Sequence, residues 1–282
     1  MTTLIDGKAV AARIRARVAA QVSDEYPDPA RAPGLATVLV GDDPASAVYV
    51  ASKRRAVVQA GMRDLHMSLP GTSTQREVAA VISKLAADPA VAGILLQLPL
   101  PKGLDSAVLI ERIPAEKDVD GLTTMSAGLL ARGGFGLRPC TPRGVLELLD
   151  AESVPLAGAR AVVVGRSELV GRPLAQLLLH RDATVTVAHS KTADLAAVTR
   201  EADILIAAAG VRGLIGAEHV KPGATVIDVG IHRTGAGLTG DVRAAEVTGI
   251  AARLTPVPGG VGPMTIAMLM ANTLTAARWS RG

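Results

Sequence analysis

Short runs of β-branched apolar residues alternate along this chain with longer segments in which apolar residues recur every three or four positions. This alternation is typical of βα units that wind a mostly parallel sheet. Near the amino terminus, Val10, Ile14 and Val18 form the apolar stripe of a predicted helix. Further along the amino-terminal half, the pattern predicts strands over 35–40, 65–69 and 91–98, with helices between them.

The ends of two of these helices carry recognisable signals. Asp43 is placed to cap a helix with Pro44 in its first turn, and Gly61 is placed to end it. Thr74 and Glu77 have the spacing of a capping box at the start of the next helix. We therefore expect these helix ends to be fixed locally.

A second βα series follows the glycine and proline cluster at 133–142. Its predicted strands cover 161–164, 183–188, 204–208 and 224–229. Four helices are predicted: one that starts at Pro142, a second that ends at His180, a third that starts at Thr192 and a last one over 265–277. We predict an α/β protein of two domains, each a mostly parallel sheet flanked by helices, the second a Rossmann fold. The predicted first domain is 1–138 with 264–282, to which the final helix returns, and the second is 139–263.

Composition narrows the class of protein. Thirty Lys and Arg against 26 Asp and Glu give a formal charge of +4, but the charges are interspersed, which argues against nucleic-acid and membrane-surface binding. A weak bias towards small anionic ligands remains. Cys140 is the single cysteine, so no internal disulfide can form, and no apolar stretch is long enough to span a membrane. We therefore expect a cytoplasmic protein.

The first turn of the second series resembles a dinucleotide-binding turn. The buried run 161–164 leads into Gly165-Arg166-Ser167, and Gly171 follows at the expected start of a helix. Gly165 allows a sharp turn, Gly171 allows close packing of helix on strand, and the helix amino terminus suits a pyrophosphate. Ser167 replaces the middle glycine of the usual pattern, so a plain βα turn remains an alternative.

The end of the next strand bears on which dinucleotide would bind. Enzymes that use NAD place an acidic residue at this strand end, about 20 residues after the glycine turn, to hold the ribose 2′-hydroxyl. This chain has His189-Ser190-Lys191 instead, with Arg166 in the first turn. A hydroxyl and cations suit a 2′-phosphate, so we predict NADP. For His189 and Lys191, a solvated loop position is an equal alternative.

A second group of chemistry-bearing residues lies in the first domain. Ser46, Tyr49 and Lys53 are spaced three and four residues apart and therefore share one helix face. Gln97 ends the most apolar strand, and its buried amide needs a partner, for which Lys53 is a candidate. The alternative is a helix edge with Tyr49 half-buried and the Lys53 stem lying along the surface. Two carboxylates follow in 117–121, where a solvated turn is the alternative.

Taken together, these residues resemble a known family. Six motifs occur in order over nearly the whole chain: Tyr49-Val50-Ala51-Ser52-Lys53, Gln97-Leu98-Pro99-Leu100-Pro101, Lys117-Asp118-Val119-Asp120-Gly121, Pro139-Cys140-Thr141-Pro142, Val164-Gly165-Arg166-Ser167 and Pro258-Gly259-Gly260-Val261-Gly262-Pro263-Met264-Thr265. The chain strongly resembles the bifunctional methylenetetrahydrofolate dehydrogenase/cyclohydrolase (FolD) family. It departs at Arg55, where many members have Lys, and at Ala115.

The resemblance implies a homodimer whose subunits bind a tetrahydrofolate derivative in a cleft between a catalytic domain and an NADP-binding Rossmann domain. It implies catalytic roles for Lys53, Gln97, Tyr49 and Asp120; substrate contacts also from Ser46, Pro258 and Gly259; and cofactor contacts from Gly165, Arg166, Ser167, Ser190, Ile231 and Thr265. Two other functions remain open. One is a dehydrogenase acting on a carbon acid, with Lys53 and Asp120 as its catalytic pair. The other is a folate- or NADP-binding regulator without turnover.

Overall fold

The computed structural model describes residues 1–235 and 237–281, apart from the side chain of Ala45. The strands are β1 (Thr3–Leu4), β2 (Gly34–Val40), β3 (Arg63–Asp64), β4 (Met67–Leu69), β5 (Gly93–Leu96), β6 (Arg160–Val164), β7 (Thr184–Ala188), β8 (Ile204–Ala207), β9 (Thr225–Asp228), β10 (His232–Thr234), β11 (Gly237–Thr239) and β12 (Arg253–Leu254). The helices are α1 (Gly7–Glu25), α2 (Pro44–Gln59), α3 (Gln75–Ala87), α4 (Ser106–Ile110), α5 (Thr124–Ala131), α6 (Cys140–Ala151), α7 (Gly171–Leu179), α8 (Leu195–Thr199), α9 (Ala244–Val247) and α10 (Val261–Trp279). The chain divides into two compact units, which we call the large-sheet unit (1–12 and 141–265) and the small-sheet unit (13–140 and 266–282).

The large-sheet unit is built on a parallel sheet with the strand order β1-β12-β9-β8-β6-β7. Val164 at the end of β6 pairs with Ala188 on one side and with Ala207 on the other. The strand order reverses at β6, because β7 lies on one side of it and all later strands of the sheet lie on the other. In open α/β sheets, ligands bind beyond the carboxyl ends of the strands at such a reversal.

The small-sheet unit has β2 at the centre of a second parallel sheet. β5 pairs with one edge of β2, while β3 and β4 pair with successive parts of the other edge. Every residue of β2 and β5 is buried, as expected for strands covered on both faces. Val78, Ile82 and Leu85 of α3 pack on this sheet. The predicted α/β class with mostly parallel sheets is confirmed.

The amino terminus does not lie where the sequence predicted. Residues 1–138 were expected in one domain, but residues 1–12 belong to the large-sheet unit. Strand β1 pairs with β12, with Thr3 opposite Arg253, and the Thr2 hydroxyl donates a hydrogen bond of 2.6 Å to Ala251 O. A strand of two residues is too short to show a periodic pattern in the sequence. Its position depends instead on a partner strand some 250 residues away.

The predicted helix ends are confirmed. Asp43 accepts a hydrogen bond from Ser46 N, and Gly61 has a φ of +71° just beyond α2. Thr74 and Glu77 form the reciprocal capping box of α3. The predicted strand over 91–98 is shorter, since β5 covers Gly93–Leu96, and the hairpin β10–β11 was not predicted. None of the helices within the described residues is long and apolar enough to cross a membrane.

Candidate active site and cofactor site

A lysine and a glutamine meet at the carboxyl end of the small sheet. Gln97 directly follows β5, and its backbone N–H donates to Val38 O of β2 at 2.9 Å. Lys53 lies on α2, the helix that follows β2, and its Nζ donates to Gln97 Oε1 at 3.0 Å. Both residues are buried, with exposed fractions of 7% for Lys53 and 9% for Gln97. The predicted contact between the glutamine amide and Lys53 is confirmed.

The orientation of the Gln97 amide is fixed from its other side. Its Nε2 donates to Leu98 O at 2.6 Å, so its oxygen faces Lys53. A neutral amide accepts a hydrogen bond from the amine without supplying the negative charge that would hold it as an ammonium ion. Burial lowers the pKa of Lys53 below the usual value for lysine, and electrostatic interactions with Asp120 and Cys140 oppose this shift only in part.

The two carboxylates of 117–121 have different environments. Asp118 accepts hydrogen bonds from Leu122 N, Thr123 N and Ser126 Oγ at 3.1, 2.8 and 2.7 Å, so it holds the loop that leads into α5. Asp120 instead interacts electrostatically with Lys53. Burial raises the pKa of Asp120, and Lys53 partly counteracts the shift. Both shifts favour the neutral form of their group, and of the two acids only Asp120 has an electrostatic effect on the pKa of the amine.

Cys140 and Asn272 complete this cluster, although neither residue was assigned a role from the sequence. Cys140 Sγ lies 3.2 Å from Val119 O, and its thiol also hydrogen-bonds to Asp120, which lowers the pKa of the carboxyl. Asn272 of α10 is fully buried and donates to Val119 O and Arg138 O, both at 2.8 Å. A polar residue in the apolar run 265–277 was the available signal for Asn272, because a buried amide needs partners.

Ser46 and Tyr49 share α2 with Lys53, as predicted. Ser46 is buried in the first turn, and Tyr49 keeps 38% of its surface exposed. In the described part of the chain, neither side chain hydrogen-bonds to Lys53, Gln97 or Asp120. The structure thus brings Lys53, Gln97 and Asp120 together, and leaves the Tyr49 ring open to a partner.

The turn after β6 has the close backbone contacts that the glycines predicted. Gly165 has a φ of +127°, and a Cβ atom there would lie 2.0 Å from Ala208 O. A Cβ atom on Gly171 would lie 2.1 Å from Gly165 O. No other residue fits either position without movement of the backbone, so the first turn of α7 lies directly against the strand end. A plain βα turn, the alternative considered from the sequence, does not require the close approach of Gly171 to Gly165 O.

Arg166, Ser167 and Ser190 lie around this turn. Arg166 is exposed, and its guanidinium makes no hydrogen bond or ion pair with the described residues. Ser167 Oγ accepts hydrogen bonds from Val170 N and Gly171 N at 3.2 and 3.4 Å and so stabilises the start of α7. Because Val164 pairs with Ala188, Arg166 and Ser190 each lie two residues beyond a neighbouring strand end. The end of β7 carries no carboxylate.

The remaining predicted residues also belong to the large-sheet unit. Ile231 follows β9, and its side chain is 47% exposed. Thr265 Oγ1 lies 2.9 Å from Thr141 Oγ1. Pro258 follows a cis peptide bond, and Gly259 has a φ of +111°, which favours glycine. Ile231 is therefore placed at the carboxyl edge of the sheet, where ligands bind, and Gly259 lies in a loop that precedes α10.

Comparisons with known proteins cover both units. The catalytic domain of the tetrahydrofolate dehydrogenase/cyclohydrolase family matches residues 5–120, and its NAD(P)-binding domain matches residues 139–281. A bifunctional protein FolD 2 of Frankia alni is 68% identical over 98% of this chain and 96% of its own length. A solved FolD structure from Campylobacter jejuni has a TM-score of 0.96 at 45% identity and covers 99% of both chains. A Trypanosoma brucei FolD structure, complexed with NADP cofactor and inhibitor, has a TM-score of 0.94 at 39% identity and covers 99% of this chain and 98% of its own.

Proposed function

The chain belongs to the tetrahydrofolate dehydrogenase/cyclohydrolase family, and we propose that it converts 5,10-methylenetetrahydrofolate to 10-formyltetrahydrofolate in two steps. The first step is an NADP-dependent oxidation to 5,10-methenyltetrahydrofolate, and the second is hydrolysis of that product. The observation that carries the proposal is the buried Lys53 amine, which donates to the neutral Gln97 amide and interacts electrostatically with Asp120. The small-sheet unit would bind the folate, and the large-sheet unit would bind NADP.

The large-sheet unit fits NADP by its backbone and its charges. The close packing at Gly165 and Gly171 leaves a turn free of side-chain bulk at a helix amino terminus, as a pyrophosphate requires. The exposed guanidinium of Arg166 and the exposed Ser190 would hold the 2′-phosphate, and the end of β7 carries no carboxylate that would repel it. Ser167, Ile231 and Thr265 would line the rest of the site. When bound, NADP accepts the hydride that leaves the methylene carbon.

The folate would be held by residues of complementary chemistry. The exposed ring of Tyr49 can stack on the flat folate rings, and this chain has few other aromatic residues to do so. Asp120 can accept hydrogen bonds from the amino and N–H groups of the pterin. We assign further substrate contacts to Ser46, Pro258 and Gly259. Positioning suffices for the oxidation, because hydride transfer needs no acid or base from the protein.

The hydrolysis needs a proton carrier, and Lys53 has the required properties. Water must lose one proton as it adds to the methenyl carbon, and a ring nitrogen must gain a proton as the carbon–nitrogen bond breaks. The hydroxyl of the adduct releases its remaining proton to solvent as the formyl carbonyl forms. A neutral Lys53 amine can donate one N–H to Gln97 Oε1 while its lone pair accepts the proton from water. The resulting ammonium then returns the proton to the ring nitrogen. Burial favours the neutral amine at the start of this cycle.

The direct test is incubation of the protein with methylenetetrahydrofolate and NADP. We expect methenyl absorbance to rise and then to decay. A carbon-acid dehydrogenase would give no methenyl signal, and a regulator would bind the ligands without turnover. Absence of both NADPH and methenyl signals, in protein shown to be folded and to bind NADP, would overturn the proposal.

We also propose that the protein acts as a homodimer in the cytoplasm. Strand β7 ends the large sheet, and one edge of it has no partner strand within the described residues. Val187 on this strand is 39% exposed. An apolar side chain on a free strand edge suits pairing with a second copy. Light scattering coupled to size-exclusion chromatography tests the dimer, and a monomer at micromolar concentration would contradict it.

A further inference from the structure

A fully buried aspartate, Asp241, connects two loops at the carboxyl edge of the large sheet. Its Oδ2 accepts hydrogen bonds from Ala209 N and Gly210 N, both at 2.8 Å, just after β8. Its Oδ1 lies 2.7 Å from His232 Nε2, at the end of the loop that joins β9 to β10. Because a carboxylate only accepts, the Nε2 of His232 carries the proton in this contact. One side chain thus fixes both loops.

A second acid holds Asp241 itself in place. Asp228 at the end of β9 accepts hydrogen bonds from the backbone N–H groups of Asp241, Val242 and Gly230, at 2.9, 2.9 and 3.0 Å. The close approach of the Asp228 and Asp241 side chains to the neighbouring backbone depends on two glycines. A Cβ atom on Gly230 would lie 2.3 Å from Asp241 Oδ1, and one on Gly240 would lie 1.9 Å from Asp228 Oδ2. The Asp241 carboxylate is therefore fixed on all sides before any ligand binds.

The two loops that Asp241 connects border the predicted cofactor site. The loop after β8 touches the dinucleotide turn, since a Cβ atom on Gly165 would meet Ala208 O at 2.0 Å and Ala209 N at 3.2 Å. The loop after β9 contains Ile231, the neighbour of His232. Ala209 N and Gly210 N already donate to Asp241 and are not available to a phosphate. Asp241 therefore acts on the shape of the site and not by contact with a ligand.

We propose that Asp241, held by His232, is a positioning residue that sets the two loops in the conformation that binds NADP. This inference rests on the proposed function for its ligand. Loss of the carboxylate leaves two N–H groups without their acceptor, and the loop at 208–210 then rearranges against Gly165. Binding of NADP is weakened because the site must be reordered when the ligand arrives.

The test measures the dissociation constant for NADP by titration calorimetry, without folate, on the full-length protein. Asp241→Ala is expected to raise the Kd by about 10-fold or more, the size expected when buried N–H groups lose a charged acceptor. The matched control is Asp203→Ala. Asp203 accepts hydrogen bonds from Arg160 N and Lys221 Nζ at 2.9 and 2.6 Å, but it lies at the amino end of β8. The control is expected to lose stability and to keep the wild-type Kd.

His232 provides a second pair of variants that do not alter the buried acid. His232→Leu removes the donor to Asp241 and is expected to raise the Kd, whereas His232→Gln keeps an N–H donor and is expected to restore most of the affinity. Hydrogen exchange of the 209 and 210 amides, measured without NADP, should accelerate in Asp241→Ala and His232→Leu but not in Asp203→Ala.

The outcomes separate the two proposals. A wild-type protein that does not bind NADP would overturn the proposed function and this inference with it. A wild-type protein that binds NADP, with equal Kd values for all variants, would overturn the inference alone. An equal loss of affinity in Asp203→Ala would do the same, because it would reduce the effect to general destabilisation. If Asp241→Ala does not fold, the Kd values of His232→Leu and His232→Gln decide whether the Asp241 contact positions the loops for NADP.

Discussion

Replacement of Lys53 by Met separates the two proposed activities. Methionine keeps most of the length and apolar area of the lysine stem and removes only the amine. Hydride transfer depends on geometry, so part of the dehydrogenase activity should remain. Hydrolysis depends on a proton carrier, so it should be lost. We expect Lys53→Met to let methenyltetrahydrofolate accumulate.

The effects of Lys53→Met on the hydrolysis rate and on stability can be estimated from the surroundings of Lys53. Loss of a general acid-base group slows the hydrolysis by roughly 10²-fold, which corresponds to about 2.7 kcal/mol in the barrier. Stability should change less. Gln97 Oε1 loses its donor at 3.0 Å, which costs about 1 kcal/mol. That loss is offset in part because no buried amine needs to be desolvated. A fall in Tm of only a few degrees is therefore expected.

The assay measures hydrolysis of supplied methenyltetrahydrofolate at several pH values, corrected for the spontaneous rate. The matched control is Lys84→Met, the same exchange at an exposed lysine of α3, which should retain wild-type rates. Lys53→Arg should fail like Lys53→Met, because a guanidinium does not release its proton near neutral pH. If folded Lys53→Met hydrolyses the substrate at close to the wild-type rate, Lys53 is a structural residue and the proposed mechanism is wrong.

The pH dependence gives a second check on the same residue. Burial lowers the pKa of Lys53, so the neutral amine forms at a lower pH than for an ordinary lysine. The enzymatic rate above the spontaneous rate should therefore rise with pH in the wild type, as Lys53 loses its proton. It should stay flat in Lys53→Met. An identical rise in both proteins would show that another group titrates.

Three further predictions follow from the fold. Arg166→Ala should raise the KM for NADP much more than that for NAD, and a wild type that prefers NAD would contradict the assignment. Burial raises the pKa of Asp228 to about 6 from 3.8, so the native state binds this proton more tightly than the unfolded state. The corresponding stability is complete below about pH 4 and is lost as the pH rises through 6, by up to about 3 kcal/mol. Denaturant unfolding from pH 4 to 7 should show this slope in the wild type and not in Asp228→Asn. Thr74→Ala should cost about 1 kcal/mol, measured by the same unfolding, because it breaks the capping box of α3.

Much of the fold was predictable because its signals are local. The apolar periods, the Asp43 cap and the Thr74 capping box each depend on residues a few positions apart. The glycine turn at 165 was also visible, because its conformation excludes other residues. The contact between Lys53 and Gln97 could be predicted as well, since a buried amide at the end of an apolar strand needs a hydrogen-bond partner.

The tertiary structure alone decided which residues act together over long separations. The chemistry and spacing of 117–121 did not distinguish Asp118, which holds a loop, from Asp120, which interacts electrostatically with Lys53. Only the resemblance to a known family singled out Asp120. The pairing of β1 with β12, the Asn272 contacts and the Asp241 network join segments that are distant in sequence or lie in unpredicted turns. Such contacts leave no period in the sequence, because the energy that fixes them comes from burial and hydrogen bonds formed only after the sheets assemble.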